Sequence, residues 1–379
     1  SVVSKYWGVY LNQFFELIGW NINTNIAIGS FNFDLAPVII VAFFTALLVM
    51  GTKIGARVDG ALTILKIAIV VFIVVVGFFY IKAENFTPFI PPSEPAASTD
   101  GSGVSAVMEQ PLWQWATGMA PSIYGVTGII SGAALVFFAF LGFDVVATAS
   151  EETINPKKNV PLGIGVGLGL IIVLYTLVAI VTTGMVSYKD LAKQSDPSLA
   201  VAFKMVGADW AAKIISLGIV IGMATVVMVL LLGLTRVVFA MSRDGLLPRG
   251  LSHTGKHGTP VRLQIIVGVV MALIAACCNV GILSDMVNIG TLSAFTLVAI
   301  SIPIMRKKRP DLERSFKIPG NPWVPILIAL ANLWLMVNLS VLTWIRFVVW
   351  LIVGFAIYFG YGYRHARLGA GELEVAAQE

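Results

Sequence analysis

The chain has 379 residues, of which 58% are hydrophobic and only 12% charged. Soluble globular domains carry about 25% charged residues, so this composition excludes an ordinary soluble fold and reads as an all-α polytopic membrane protein. The formal net charge of +5 is then a topology signal and not a nucleic-acid footprint. Residues 1–19 (SVVSKYWGVYLNQFFELIG) read as the end of a helix reaching an interface, and Asn21 to Ala36 as a loop. Apolar runs of about 20 residues mark membrane spans. They are predicted over 37–51, 61–81, 162–186, 210–241, 261–280, 287–305, 323–342 and 345–363, with an interrupted one over 127–150. The polar stretch 82–126 carries Trp113, Trp115 and Tyr124 as interface anchors. Residues 155–161 form a turn with two prolines, and 187–208 are expected to form short surface helices. Cys277 and Cys278 are adjacent within an apolar run, which predicts small buried side chains and no disulfide.

Lysine and arginine placement orients these spans. With the 52–60 loop inside, seventeen basic residues fall inside and six outside, while Lys5 and Lys66 lie within helices. That asymmetry satisfies the positive-inside rule. It requires nine full spans after the partial first one and puts the C-terminus in the cytoplasm.

The interrupted span, 131–152 (SGAALVFFAFLGFDVVATASEE), carries the functional signal. Gly142 and Asp144 fall near its middle, and a charge at that depth costs roughly 2.5–3.5 kcal/mol. A broken helix, its freed backbone groups facing a cavity, accommodates both residues. Such a break builds a binding site at mid-bilayer and points to a solute transporter. On composition alone Phe138 is a packed aromatic. Asp144 either caps the second half-helix, the preferred reading, or is a functional carboxylate; neither makes it a solute ligand. Lys66 lies five residues after Ala61, about 7–8 Å into its helix, where it either snorkels or serves transport. Thr225 and Met228 share a helix face, which ordinary packing explains equally well. Glu151 and Glu152, beside Lys157 and Lys158, form either a solvated turn or an inner gate pairing with Arg57 or Arg243. His253 and His257 lack a third ligand, so no metal is expected. No metalloprotease, serine-hydrolase or phosphate-loop motif occurs, so neither an enzyme nor a cofactor is expected.

Four ordered stretches go further. GAALVFFAFLGFDVVATASEETINPKKNVPLGI (132–164) resembles the sixth-helix signature of the cationic amino acid transporter family, in the amino acid–polyamine–organocation superfamily. GTKIGARVDGALTILK (51–66) resembles that family's fifth helix and the turn before it. GLTRVVFAMSRDGLLP (233–248) resembles its eighth helix and following loop, and RKKRPDLERSFKIPGNPWVP (306–325) its tenth-to-eleventh loop.

The resemblance implies a leucine-transporter-like inverted-repeat fold. Matched to it, the chain is N-terminally incomplete and begins late in the third helix. Residues 1–81 would be the remainder of the first repeat, 82–126 an extracellular loop, 127–305 the second repeat, and 306–379 the last two helices and a cytoplasmic tail. It further implies that the carbonyls of Phe138, Ala139 and Leu141 meet a solute ammonium. Phe138 would gate the site and Gly142 would permit the unwinding. Lys66 would take the place of a sodium ion and couple transport to protons, with Thr225 near it and Met228 near the solute side chain. Binding would lie between the sixth and eighth helices and a first helix absent from this chain.

The expected function is proton-coupled uptake of cationic or broad-range amino acids by alternating access across the cell membrane. The expected partners are an amino acid, a proton and the lipid bilayer. The rival readings are a non-transporting remnant or substrate-sensing membrane protein, and a polyamine or organic-cation transporter.

Overall fold

The computed structural model describes residues 1–20, 24–28, 31–50, 56–95, 107–120, 122–143, 146, 153–194, 197–253, 260–311, 314 and 317–366. In chain order they form α1 (Val2–Leu17), β1 (Asn25–Ile28), β2 (Phe31–Asp34), α2 (Leu35–Val49) and α3 (Ala56–Phe78). There follow β3 (Glu94–Pro95), α4 (Leu112–Thr117), β4 (Ser122–Ile123), α5 (Gly125–Val136) and α6 (Pro156–Met185). Then come α7 (Tyr188–Ala192), α8 (Leu199–Met205), α9 (Asp209–Arg243), α10 (Val261–Cys277), α11 (Val280–Lys308), α12 (Trp323–Val337) and α13 (Val341–Ile357). The apolar helices α2, α3, α5, α6 and α9 to α13 follow the order of the predicted spans. The chain is an all-α polytopic membrane protein.

The helices gather into two compact units, one drawn from 1–87, 169–280 and 357–379, the other from 88–168 and 281–356. In the first unit α9 is the central rod, and α1, α2, α3, α8 and α10 all pack on it. Small residues make this possible. A Cβ at Gly218 would fall on the Ile69 side chain of α3, and one at Gly222 would sit 3.3 Å from Lys66 Cγ. Where helices share a lipid solvent, such close backbone approach replaces the hydrophobic drive. Trp7 of α1 donates Nε1–H to the Val220 carbonyl at 3.0 Å. It heads a core that includes Ala36, Ile40, Val41, Phe44, Val227, Leu231, Leu263 and Val267.

Helix starts are fixed by side chains. Asp34 caps α2, accepting from Ala36 N at 3.3 Å. Burial holds the Asp34 carboxyl above the usual carboxylate range, opposed by the Lys5 charge and by hydrogen bonds from Ala36 and Thr24. Ser198 caps α8, accepting from Val201 N at 3.2 Å while donating to Gln13 Oε1 at 2.8 Å.

Several sequence expectations change, the first being the turn over 155–161: α6 already begins at Pro156, since proline is tolerated at a first helical position. Residues 21–36 are not simply a loop, because β1 and β2 pair antiparallel, Asn25 opposite Asp34 and Ile28 opposite Phe31. The signal is in the sequence, as two short runs separated by Gly29-Ser30. The 187–208 stretch contains short helices but is not confined to the surface: Phe203 is 1% exposed and belongs to a core with Ile73, Val181 and Met185. Cys277 and Cys278 are free, but Cys277 is exposed and Cys278 only half-buried, since they end α10. Finally, α11 begins at Val280, ahead of the predicted 287. Asp285 is accommodated there because Thr343 Oγ1 donates to its Oδ2 at 3.1 Å.

The second unit is built around α5, α11, α12 and α13. Its core joins Ala134, Ile289, Leu292, Met336 and Leu339, with Trp344 and Phe347 packed against it. Trp344 Nε1–H donates to the Met336 carbonyl at 2.9 Å. The strap before α4 is fastened by Leu112 N to Leu339 O, at 3.0 Å, and by Val341 N to Gln110 O, at 3.1 Å.

Candidate functional site

In the second unit the helix of α5 is interrupted. It ends at Val136, and Phe137–Phe140 form a 3-10 turn. Leu141 is extended (φ −67°, ψ 143°), and Gly142 has φ +124°. That φ lies where residues with a Cβ are strained and glycine is not, so a glycine in an apolar run permits the chain to leave the helix here. The Leu141 N–H still donates to Phe138 O at 3.2 Å. Phe138, Leu141 and Gly142 are half-buried, and Ala139 is exposed. The segment thus carries the bonding of a 3-10 turn in place of the α-helical ladder. Asp144, Glu151 and Glu152 lie outside the described residues, as does the half-helix that Asp144 was expected to cap.

Two residues of α11 hold this interruption, and sequence reasoning missed both. The Phe295 ring meets Phe137 edge-on, centroids 6.1 Å apart, and lies 5.2 Å from Phe143. It therefore touches the chain on either side of Gly142. Asn288, fully buried, donates Nδ2–H to the Leu135 carbonyl at 3.3 Å. An amide inside an apolar run was a usable signal for Asn288. Nothing in sequence marks Phe295.

The remaining candidates belong to the first unit. Lys66 is half-buried, and its aliphatic stem runs along Gly222 of α9. Thr225 is 7% exposed and donates Oγ1–H to the Gly222 carbonyl at 2.8 Å. Lys66 and Thr225 therefore converge on one turn of α9. Gly222 itself was missed, although the Gly218-to-Gly222 spacing is a recognised close-packing pattern. Met228, one turn further, packs against the Trp7 core.

At the end of α9, Arg243 Nε lies 3.5 Å from Asp244 Oδ1, both side chains more than half exposed. Gly245 has φ +82°, and a Cβ there would fall on the His365 carbonyl. This turn therefore has a structural task. The Arg57 side chain, the other gate partner, lies outside the described residues.

A membrane helix interrupted at a glycine is one way of building a solute site at the bilayer midplane. The chain matches the model of the amino acid permease family over residues 5–360, and it belongs to that family, within the amino acid–polyamine–organocation superfamily. It is 39% identical over 378 residues to the branched-chain amino acid permease BcaP of Bacillus subtilis (strain 168), covering 97% of this chain and 74% of that protein. It is 38% identical over 376 residues to the methylthioribose transporter of the same organism, with the same coverage. It is also 34% identical to the mitochondrial cationic amino acid transporter 3 of Arabidopsis thaliana, over 74% of this chain and 42% of that protein. The protein is thus a permease and not an enzyme.

Proposed function

We propose that the protein is a secondary active amino acid transporter of broad side-chain range, working by alternating access and coupled to protons. The observation that carries this reading is the interrupted backbone of 137–142 with Gly142 at φ +124°, in a chain of the amino acid permease family. An ammonium group is best met by carbonyls at the C-terminal end of a helix. The carbonyls of Phe138, Ala139 and Leu141 take that role, with the Phe138 ring as the gate over the bound solute.

Lys66 is the coupling residue. Its seat on Gly222, beside Thr225, gives it a fixed partner helix whose packing its protonation can alter. The protein resides in the cell membrane with its C-terminus in the cytoplasm.

Uptake into liposomes tests both parts. Labelled leucine, arginine and methylthioribose are offered in turn across an imposed pH gradient. Amino acid uptake that rises with an inward proton gradient is expected, and Lys66→Ala should flatten that dependence. Unchanged pH dependence in the variant would remove Lys66 from coupling. Uptake of labelled methylthioribose, with neither amino acid taken up, would replace the amino acid with a thio-sugar.

A further inference from the structure

The Asn288 amide poses a problem that its helix does not solve. The residue is fully buried on α11, next to the core residue Ile289 of the second unit. Its Nδ2–H reaches the Leu135 carbonyl at 3.3 Å. Its Oδ1 is buried and has no hydrogen-bond partner among the described residues. An orphaned buried acceptor is unfavourable, and an apolar side chain of the same shape would avoid it. The half of the amide that is used acts on the last turn of α5, immediately before the interruption. One face of α11 thus supplies two holds, since Phe295 lies seven positions on, two helical turns, and its ring touches Phe137 and Phe143.

We propose that Asn288 and Phe295 are positioning residues of the interrupted helix. Asn288 pins the carbonyl end of α5, and Phe295 braces the aromatic residues before and after Gly142. The 137–142 backbone thereby keeps one geometry instead of fraying. Neither residue touches solute; both act through the backbone. This inference rests on reading 137–142 as the solute site.

The test uses the whole protein in lipid nanodiscs and two variants, Asn288→Leu and Asn288→Ala. Leucine there keeps the branched shape, removes the donor and removes the orphaned oxygen. Amide hydrogen exchange of 137–142 is expected to quicken about tenfold in both variants, the effect of losing one buried hydrogen bond. The melting temperature of Asn288→Leu should stay level or rise. Its KM for the transported amino acid should increase more than its kcat falls. A residue that merely fills space would move exchange and melting together. Unchanged exchange of 137–142 in both variants would overturn the proposal. So would quickening spread evenly over α5 and α11. Exchange needs no solute, so a loosened segment in a protein that binds no amino acid would defeat the site reading and leave the positioning claim standing.

Discussion

Gly142 is the residue on which the interruption depends. A Cβ at this position meets no neighbouring atom within 4 Å, so the cost of Gly142→Ala is confined to the backbone. At φ +124° that cost is about 1–3 kcal/mol. Gly132 provides the contrast, being helical within α5 and equally free of neighbours. Gly132→Ala should gain up to about 1 kcal/mol from helix propensity. Thermal melts of the two variants are expected to shift in opposite directions, with uptake reduced only in Gly142→Ala. A fall of equal size in both would mean that the backbone at 142 is not special. Gly142 could be found from sequence because a glycine followed two residues later by a carboxylate is anomalous within an apolar run. Asn288 and Phe295 could not be assigned a role the same way. The Asn288 bond to Leu135 spans 153 positions, and spacing along one helix carries no information about a partner that distant.

Among the elements, the seam between α3 and α9 is the sharpest case of packing decided by one small side chain. Ile69 occupies the space in front of Gly218. Gly218→Leu must push the helices apart, and overpacking of this kind costs typically 1–3 kcal/mol. It would also lift Lys66 from its seat on Gly222, one turn along. Reduced thermal stability and altered pH dependence of uptake are therefore expected together. Gly165→Ala in α6, where no atom lies within 4 Å, should leave the pH dependence unchanged and, like Gly132→Ala, should not lower thermal stability. The spans themselves were legible because an apolar run of sufficient length is nearly a sufficient condition for crossing a bilayer. Their starts were less so. Helix α2 begins where Asp34 caps it, and α11 begins early because Thr343, from a different helix, satisfies Asp285. The burial of Phe203 was equally hidden, because it packs in a core with Ile73, Val181 and Met185, residues distant from it in sequence.

For the whole molecule, the proposed orientation, with the C-terminus in the cytoplasm, rests on the split of seventeen basic residues against six that the predicted spans imply. With both native cysteines replaced by alanine, a cysteine at Lys193 should react with a membrane-impermeant maleimide on intact cells. One at Lys308 should react only after permeabilisation. The reverse pattern would invert the topology.

The helix lengths also have a consequence for the surrounding lipid. At 35 residues, α9 extends roughly 52 Å, well beyond a hydrocarbon core of about 30 Å. Its neighbour α2 has only 15 residues, roughly 22 Å, and turns Ile39 and Phe43 outward, at 59% and 57% exposure. Acyl chains beside α2 must shorten or disorder to meet it, at fractions of a kcal/mol per Å of mismatch. The protein therefore wears an uneven lipid collar, and short-chain lipids should concentrate where α2 faces the membrane.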